Sequence, residues 1–451
     1  MNTSKRLTSK FGVILLAGFL MAGVEVQAQD EENRDDTKTK QAQAVSKEVY
    51  DQITKAQEAV DAKDYQGALR TLENLQRKEL TEYEQSNVLN YLGFVYYNME
   101  QPAKAIQAYE RLLQIPSLEE QLRKQTIYTL AQLSTMEEDY RKALDYLDQW
   151  FALEANPPPD PYILYAQNLY QLDRYSDMVR PIETAMEIAR KRETPIKEDW
   201  YVLLNFAYFQ QENFAKVKDL NKILLQNWPK KRYWFQLAGA YTELGEDQNL
   251  VAAYDAAHTQ GMLETESELV TMAQLYLQQE VPYKAATLLE TEMESGRVAK
   301  DAKNYRLLSQ AWSLAAEDEK AVPALQQAAR LGDDGELYVR LGNSYLNLGE
   351  YEECVSAVRE GIDKGGLEGD VASDAQISLG MCLYNLKRYQ DATTAFERAA
   401  RTEKSRRLAN QWIDVINADL AREEQIRLAE ASAERQRQRL ENRRRQTGLD
   451  L

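Results

Sequence analysis

The sequence predicts an all-α solenoid of about ten stacked helix–turn–helix units, on three observations. A pattern of leucine, a small residue and an aromatic returns roughly every 33 to 39 residues, a period that belongs to stacked hairpins and not to one globular core. Within each copy the apolar residues sit three and four apart, the spacing of one helix face. After the last copy one more apolar stripe precedes a charged stretch, as a stack needs to close its final hydrophobic face.

The copy that shows the design most plainly has Leu89, Leu92, Gly93 and Tyr96, then Ala105, Tyr109 and Leu112. Each set forms one apolar stripe. Between them Asn98-Met99-Glu100-Gln101-Pro102 reads as a turn, with Pro102 just inside the second helix, where its missing N–H does no harm. Pro116 closes the unit. Gly93 and Ala105 are small enough to let two helix backbones approach closely.

The same frame recurs at Trp234, Leu237, Ala238 and Tyr241 with Tyr254 and Ala257. It recurs again at Tyr338, Leu341, Gly342 and Tyr345 with Val358 and Gly361, and at Leu379, Gly380 and Leu383 with Ala392, Phe396 and Ala399. Weaker copies carry Leu130-Ala131, Tyr165-Ala166, Leu204 with Tyr208, Met272-Ala273 and Leu308 with Trp312. A degenerate first copy has Ala56, Ala59, Ala68 and Leu72. The units run from about Ser46 to Thr402.

These residues resemble the tetratricopeptide repeat, whose pattern runs W-x2-L-G-x2-Y, then A-x3-F, then P. The resemblance implies a right-handed α-solenoid, with the first helix of each unit lining a concave side where a partner binds.

Residues 1–28 read as a secretory signal peptide. Lys5, Arg6 and Lys10 are basic, Phe11 to Val24 are apolar for about 14 residues, and Val26-Gln27-Ala28 supply a cleavage site. An uncleaved anchor is the alternative, although the apolar run is short of the roughly 20 residues a span needs. Residues 29–44 form an acidic spacer. The array then divides at Asn156-Pro157-Pro158-Pro159-Asp160-Pro161, whose prolines forbid helix and favour a stiff extended segment. This is either a long inter-repeat loop or a boundary between blocks at 45–156 and 157–403. Residues 404–420 read as a capping helix with Leu408, Trp412, Ile413, Ile416 and Leu420 on its apolar stripe. Residues 421–451 form a basic tail with Arg435, Arg437, Arg439, Arg443, Arg444 and Arg445. Glu423 and Arg427, four apart, favour helix there. The tail is either a solvated extension or a contact for a membrane surface, an anionic polymer or a partner.

Chemistry leaves few traces. The net charge of −17 argues against nucleic acid as a partner. The one histidine, His258, has no cysteine or second histidine with which to form a metal site or a nucleophile–base pair. Gly365-Gly366-Leu367-Glu368-Gly369-Asp370 misses the spacing of a dinucleotide loop, and Asp333-Asp334-Gly335-Glu336 lacks the alternation of a calcium loop. No catalytic residue, metal or cofactor is expected. Cys354 and Cys382 fall on packed helices and can bridge or remain two buried thiols; the second is the expectation.

The binding strip expected on the first helices comprises Asn87, Asn90, Phe94, Tyr97, Tyr128, Gln132, Ile163, Gln167, Tyr170, Val202, Phe206, Phe209 and Phe235. Rigid aromatics supply apolar contact, and amides both donate to and accept from a peptide backbone. Gln57, Gln132, Gln167, Gln274, Gln310 and Asn343 occupy equivalent places. The alternative is that the glutamines are only good exposed helix formers and the aromatics only fill space.

The expected function is an exported, periplasmic protein-interaction adaptor, not an enzyme. Array, signal peptide and basic tail together resemble periplasmic tetratricopeptide proteins that accompany TonB–ExbB–ExbD systems. That resemblance implies support of TonB-dependent uptake, such as iron acquisition, across the outer membrane. The alternative is an envelope-assembly or cell-wall scaffold that recruits a hydrolase or synthase.

Overall fold

The structure, a computed structural model, describes residues 45–332 and 334–446. The expected signal peptide (1–28) and acidic spacer (29–44) lie outside the described residues, as does Asp333. Among the described residues there are helices and no strand. They are α1 (Lys47–Asp61), α2 (Tyr65–Gln76), α3 (Glu82–Asn98), α4 (Pro102–Leu113) and α5 (Glu120–Met136). Next come α6 (Tyr140–Leu153), α7 (Pro159–Gln171), α8 (Tyr175–Lys191), α9 (Glu198–Gln210) and α10 (Phe214–Asn227). They are followed by α11 (Lys231–Glu243), α12 (Asp247–Thr259), α13 (Glu266–Gln278), α14 (Pro282–Glu294) and α15 (Ala302–Leu314). The last six are α16 (Asp318–Leu331), α17 (Gly335–Leu348), α18 (Tyr351–Lys364), α19 (Asp370–Asn385), α20 (Tyr389–Ala399) and α21 (Glu403–Gln446).

The first twenty helices follow one another in chain order as ten helix–turn–helix units, matching the repeats read from the sequence. Every hairpin turns the same way. One residue between its helices has positive φ: Lys63, Glu100, Glu138, Asp173, Glu212, Gly245, Glu280, Ala316, Gly349 and Lys387. Eight of these ten turn residues are not glycine, so a left-handed residue is a fixed part of the turn and not a consequence of composition. Caps set the starts. Thr81 and Glu84 form a reciprocal capping box on α3, as Thr265 and Glu268 do on α13. Asp64, Asp139 and Asn213 accept from backbone N–H groups at the starts of α2, α6 and α10.

The chain divides into two compact units, one up to Leu133 and the other from Ser134, a boundary within α5. In the first unit α1 packs on α2 and α3, and α3 on α4. Leu72, Leu89, Leu92 and Leu112 are fully buried there. In the second unit each helix from α6 onward packs on the next. One apolar cluster runs from Leu144 to Ala240 and another from Ala257 to Ile416, with Leu237, Ala238, Tyr241 and Ala253 between them. The proline run lies inside this second unit.

Two expectations are corrected. The prolines at 157–161 do not exclude helix, because α7 begins at Pro159 with Pro158 as its N-cap. Only residues 154–158 are non-helical. A proline in the first helical turn sits where an N–H has no intrahelical partner anyway, so two of the four prolines start the helix. Cys354 and Cys382 are not free thiols: they form a disulfide between α18 and α19, with Cα atoms 6.2 Å apart and both residues fully buried. The capping helix and the tail are one element, since α21 continues for 44 residues, about 66 Å at the usual rise.

The inner face of α21 keeps Trp412, Ile413 and Ile416 of the expected stripe but not Leu408 and Leu420. Ser405, Ala409 and Ile416 are buried, Trp412 and Asp419 lie half-buried beside them, and Leu408 and Leu420 are exposed. Trp412 stacks on Phe396 with centroids 5.8 Å apart and planes 3° from parallel, and Tyr384 donates to Asp419 at 2.7 Å. No helix among the described residues is long and apolar enough to cross a membrane.

Candidate protein-binding face

Neighbouring repeats are tied through their first helices by side chains that cross from one to the next. In the first unit, Glu84 on α3 accepts from the backbone N–H of Ser46 at 2.9 Å and from its hydroxyl at 2.6 Å. Those bonds, with the Thr81 cap, hold the Glu84 carboxyl down at about 2. Tyr91 donates to Gln57 at 3.5 Å. In the second unit, Thr135 on α5 donates to Asn168 on α7 at 3.0 Å. Asn205 on α9 donates to Gln236 on α11 at 3.3 Å, and Asn304 on α15 to Glu266 on α13 at 2.7 Å. These bonds link first helices two by two into a row: α1 with α3 in the first unit, and α5 with α7, α9 with α11 and α13 with α15 in the second.

The expected strip residues fall on this row, and they divide between the two units. In the first, Asn87, Asn90, Phe94, Tyr97, Tyr128 and Gln132 are all half-buried. Asn87 spends its amide N–H on the Tyr83 carbonyl of its own helix at 2.8 Å. In the second, Gln167, Tyr170, Phe206 and Phe235 are half-buried, and Phe209 is 54% exposed. The structure brings Tyr170 and Phe206 together, with centroids 5.1 Å apart, and sets Tyr175 from α8 against the same ring at 5.2 Å. Phe235 instead packs edge-on to Tyr254, and Phe209 to Phe214. Ile163, expected on the strip, is buried in the core, as a residue one position off the outer stripe would be. At the places equivalent to Gln167 and Phe206, Gln274, Gln310 and Asn343 are exposed in the later repeats.

Sequence reading missed four contributors. Asn205 lies buried between Gln236 and Asn221, which donates to it at 3.1 Å, so an amide chain runs from α10 through α9 to α11. Gly239 stands at the strip position of α11 and is exposed. The Leu237-Ala238 frame put it there, but a glycine has no side chain to attract notice.

Charges beside this part of the row are paired with each other. Glu198 takes Lys230 at 2.6 Å and Arg232 at 2.8 Å, and Lys231 meets Glu264 at 3.1 Å and Glu268 at 2.9 Å. Burial alone raises the Glu268 carboxyl, but Lys231 and the N–H groups of Thr265 and Glu264 outweigh it and hold it at about 2. His258, read as an incidental helix residue, lies 3.5 Å from buried Glu292, which Arg297 also grips at 2.6 Å.

The tail arginines Arg435, Arg437, Arg439, Arg443, Arg444 and Arg445 lie on the exposed end of α21. Arg427 pairs with Glu424 at 2.6 Å, three residues away, and not with Glu423, which instead accepts from Tyr389 at 3.4 Å.

Tetratricopeptide-repeat models match residues 339–406 and residues 86–115. No curated protein matches the chain. Among solved structures, a tetratricopeptide repeat protein from Parabacteroides merdae is 16% identical, with 59% of this chain and 99% of that one covered and a TM-score of 0.35. YrrB, described as a tetratricopeptide repeat protein with an unusual peptide-binding site, is 18% identical over 42% of this chain and 95% of its own, with a TM-score of 0.34. MamA is 19% identical over 39% and 92%, with a TM-score of 0.33.

Proposed function

We propose, for a chain that is a tetratricopeptide-repeat protein, that it acts as an exported adaptor which holds a segment of another protein along its first-helix row. The observation that carries this is the row itself. Side chains tie first helices to one another in pairs, and these helices carry the exposed ring of Phe209 and a series of exposed amides. Helices tied in this way need less ordering when a partner binds, which lowers the entropy cost of association. The Cys354–Cys382 disulfide supports an oxidising compartment, in keeping with the basic, apolar and small-residue sequence at residues 1–28.

The partner we favour is the periplasmic part of a TonB-type energising complex, which would make this chain an accessory to TonB-dependent uptake. The test is titration of the mature chain with purified periplasmic domains of TonB and ExbD. Saturable binding that Phe209→Ala weakens supports the assignment. Absence of binding, with iron uptake unchanged in a deletion strain, removes it.

A second reading is favoured by one observation, the basic end of α21 carried on an exposed helix. In that reading the chain is an envelope-assembly or cell-wall scaffold whose tail meets an anionic polymer or membrane surface. Truncation after Arg427 would then preserve folding and abolish association with wall polymer or anionic vesicles, whereas retained association would sink it.

A further inference from the structure

We propose that the exposed end of α21 is a self-association element, which pairs antiparallel with α21 of a second copy of this chain. The seam runs through Ile426, Ala429, Ala433 and Leu440. It is separate from the first-helix row and does not depend on it.

The start of α21 is held by the second unit through Ala409, Trp412, Ile413 and Ile416. From Glu424 to Arg445 every residue is exposed except half-buried Ala431. That stretch is roughly 33 Å long at the usual rise. Two of its large apolar side chains stand in water at regular spacing: Ile426 is 51% exposed and Leu440 61%. Ile426, Ala433 and Leu440 follow one another at intervals of seven, with Ala429 and Gln436 three residues after the first two. This is the narrow seam of a coiled coil, not the wide stripe of a helix lying on a domain. Leu428, also exposed, falls outside it.

Charge decides what covers the seam. Residues 419–434 hold five carboxylates and two arginines, whereas residues 435–445 hold six arginines and one carboxylate. A second α21 running the same way would set arginine block beside arginine block. Running the opposite way, it lays each arginine block along the carboxylates of the other copy. Charge also fixes the register. With Ala429 level with Leu440 of the second copy, the flanking Glu430 meets Arg437 of that copy, and the twofold axis repeats both contacts. Shifted by one heptad either way, Glu430 would face Glu430 or Arg437 would face Arg437. Both residues are exposed, and among the described residues neither forms an ion pair, whereas Glu424 is already taken by Arg427. An anionic polymer or membrane would satisfy the arginines and be repelled by the carboxylates before them. A second copy answers both blocks.

The test follows the full mature chain by sedimentation velocity over a range of concentration and salt. The seam is short, so a dimer is expected to form in the micromolar range and to weaken as salt is added. Glu430→Arg and Arg437→Glu, each keeping wild-type helicity and melting temperature, should each weaken the dimer about tenfold. An equimolar mixture of the two variants should recover it, because one then carries arginine at both places and the other glutamate at both. Direction is read by cross-linking: Ala429→Cys mixed with Leu440→Cys should give a disulfide-linked dimer, and neither variant should do so alone. A chain that stays monomeric up to about 100 μM would overturn the proposal. Were that monomer to bind anionic vesicles, the basic end would belong to a membrane or polymer contact instead. A dimer indifferent to both charge reversals, or Ala429→Cys linking to itself, would equally overturn it.

Discussion

The ring of Tyr109 lies against the backbone of Gly93, leaving no room for a β-carbon between α3 and α4. Gly380 and Phe396 stand in the same relation between α19 and α20. The leucine–small–aromatic frame is therefore a steric statement: a small residue on one helix receives a ring or branched side chain from the other. Gly93→Ala is expected to destabilise the first unit by about 1–3 kcal/mol through overpacking. Adding Tyr109→Leu should recover part of that loss, because the two sites share one contact. Urea titration of the single and double variants checks this; additive losses would contradict it.

Ala316 turns the α15–α16 hairpin at φ +58° without a polar side chain to stabilise the conformation. Left-handed backbone costs a β-carbon about 1–2 kcal/mol, and glycine loses about 0.4–1 kcal/mol through the unfolded chain. The first figure is the larger, so Ala316→Gly should stabilise the protein by up to about 1 kcal/mol. A fall in denaturation midpoint would show that the turn is not strained.

Disulfide reduction should loosen the junction of α18 and α19. The bond closes a loop with a sequence separation of 28, for which chain entropy predicts about 3–4 kcal/mol. Cys354→Ala with Cys382→Ala should lower the melting temperature accordingly. Because both sulfurs are buried, reductant should act on the wild type only as that junction opens, and thiol labelling over time measures this. Immediate labelling without reductant would mean the bond is absent.

Acid should weaken the first unit through Glu84. Its carboxyl, held by the Ser46 hydroxyl and N–H and by the Thr81 cap, titrates at about 2 in the folded chain. A carboxyl with a depressed folded pKa contributes stability above its unfolded value and loses it as pH falls toward the folded one. The bond from Ser46 to α3 should therefore fade between the ordinary carboxylate range and about 2. Glu84→Gln should destabilise at neutral pH and matter progressively less on acidification. Stability differences that do not change with pH would contradict it.

Much of the fold is legible in the sequence, because the relevant information is local. Leu92 with Tyr96, or Ala392 with Phe396, are neighbours on one helix face whatever lies opposite, so their spacing alone marks hairpins, their number and their order. The candidate face was legible only in part. Tyr170 and Phe206, both expected on the strip, lie against each other, whereas Ile163 turned inward and Gly239 offered no side chain to notice. In α21 the same limit shows at Leu408 and Leu420: both suit an apolar stripe, yet they are exposed, while Trp412, Ile413 and Ile416 of that stripe pack inward beside Ala409.

What the sequence determined by itself is thus a chain of ten hairpins with a closing helix, since three- and four-residue periodicity is encoded within each segment. What only the tertiary structure decided is which side chains meet between segments: Ser46 with Glu84, Cys354 with Cys382, Asn205 with Gln236, and open space over Gly239. Those pairings depend on how far each helix is rotated about its own axis against the next. That rotation follows from the summed packing of many side chains, and no short stretch of sequence carries it.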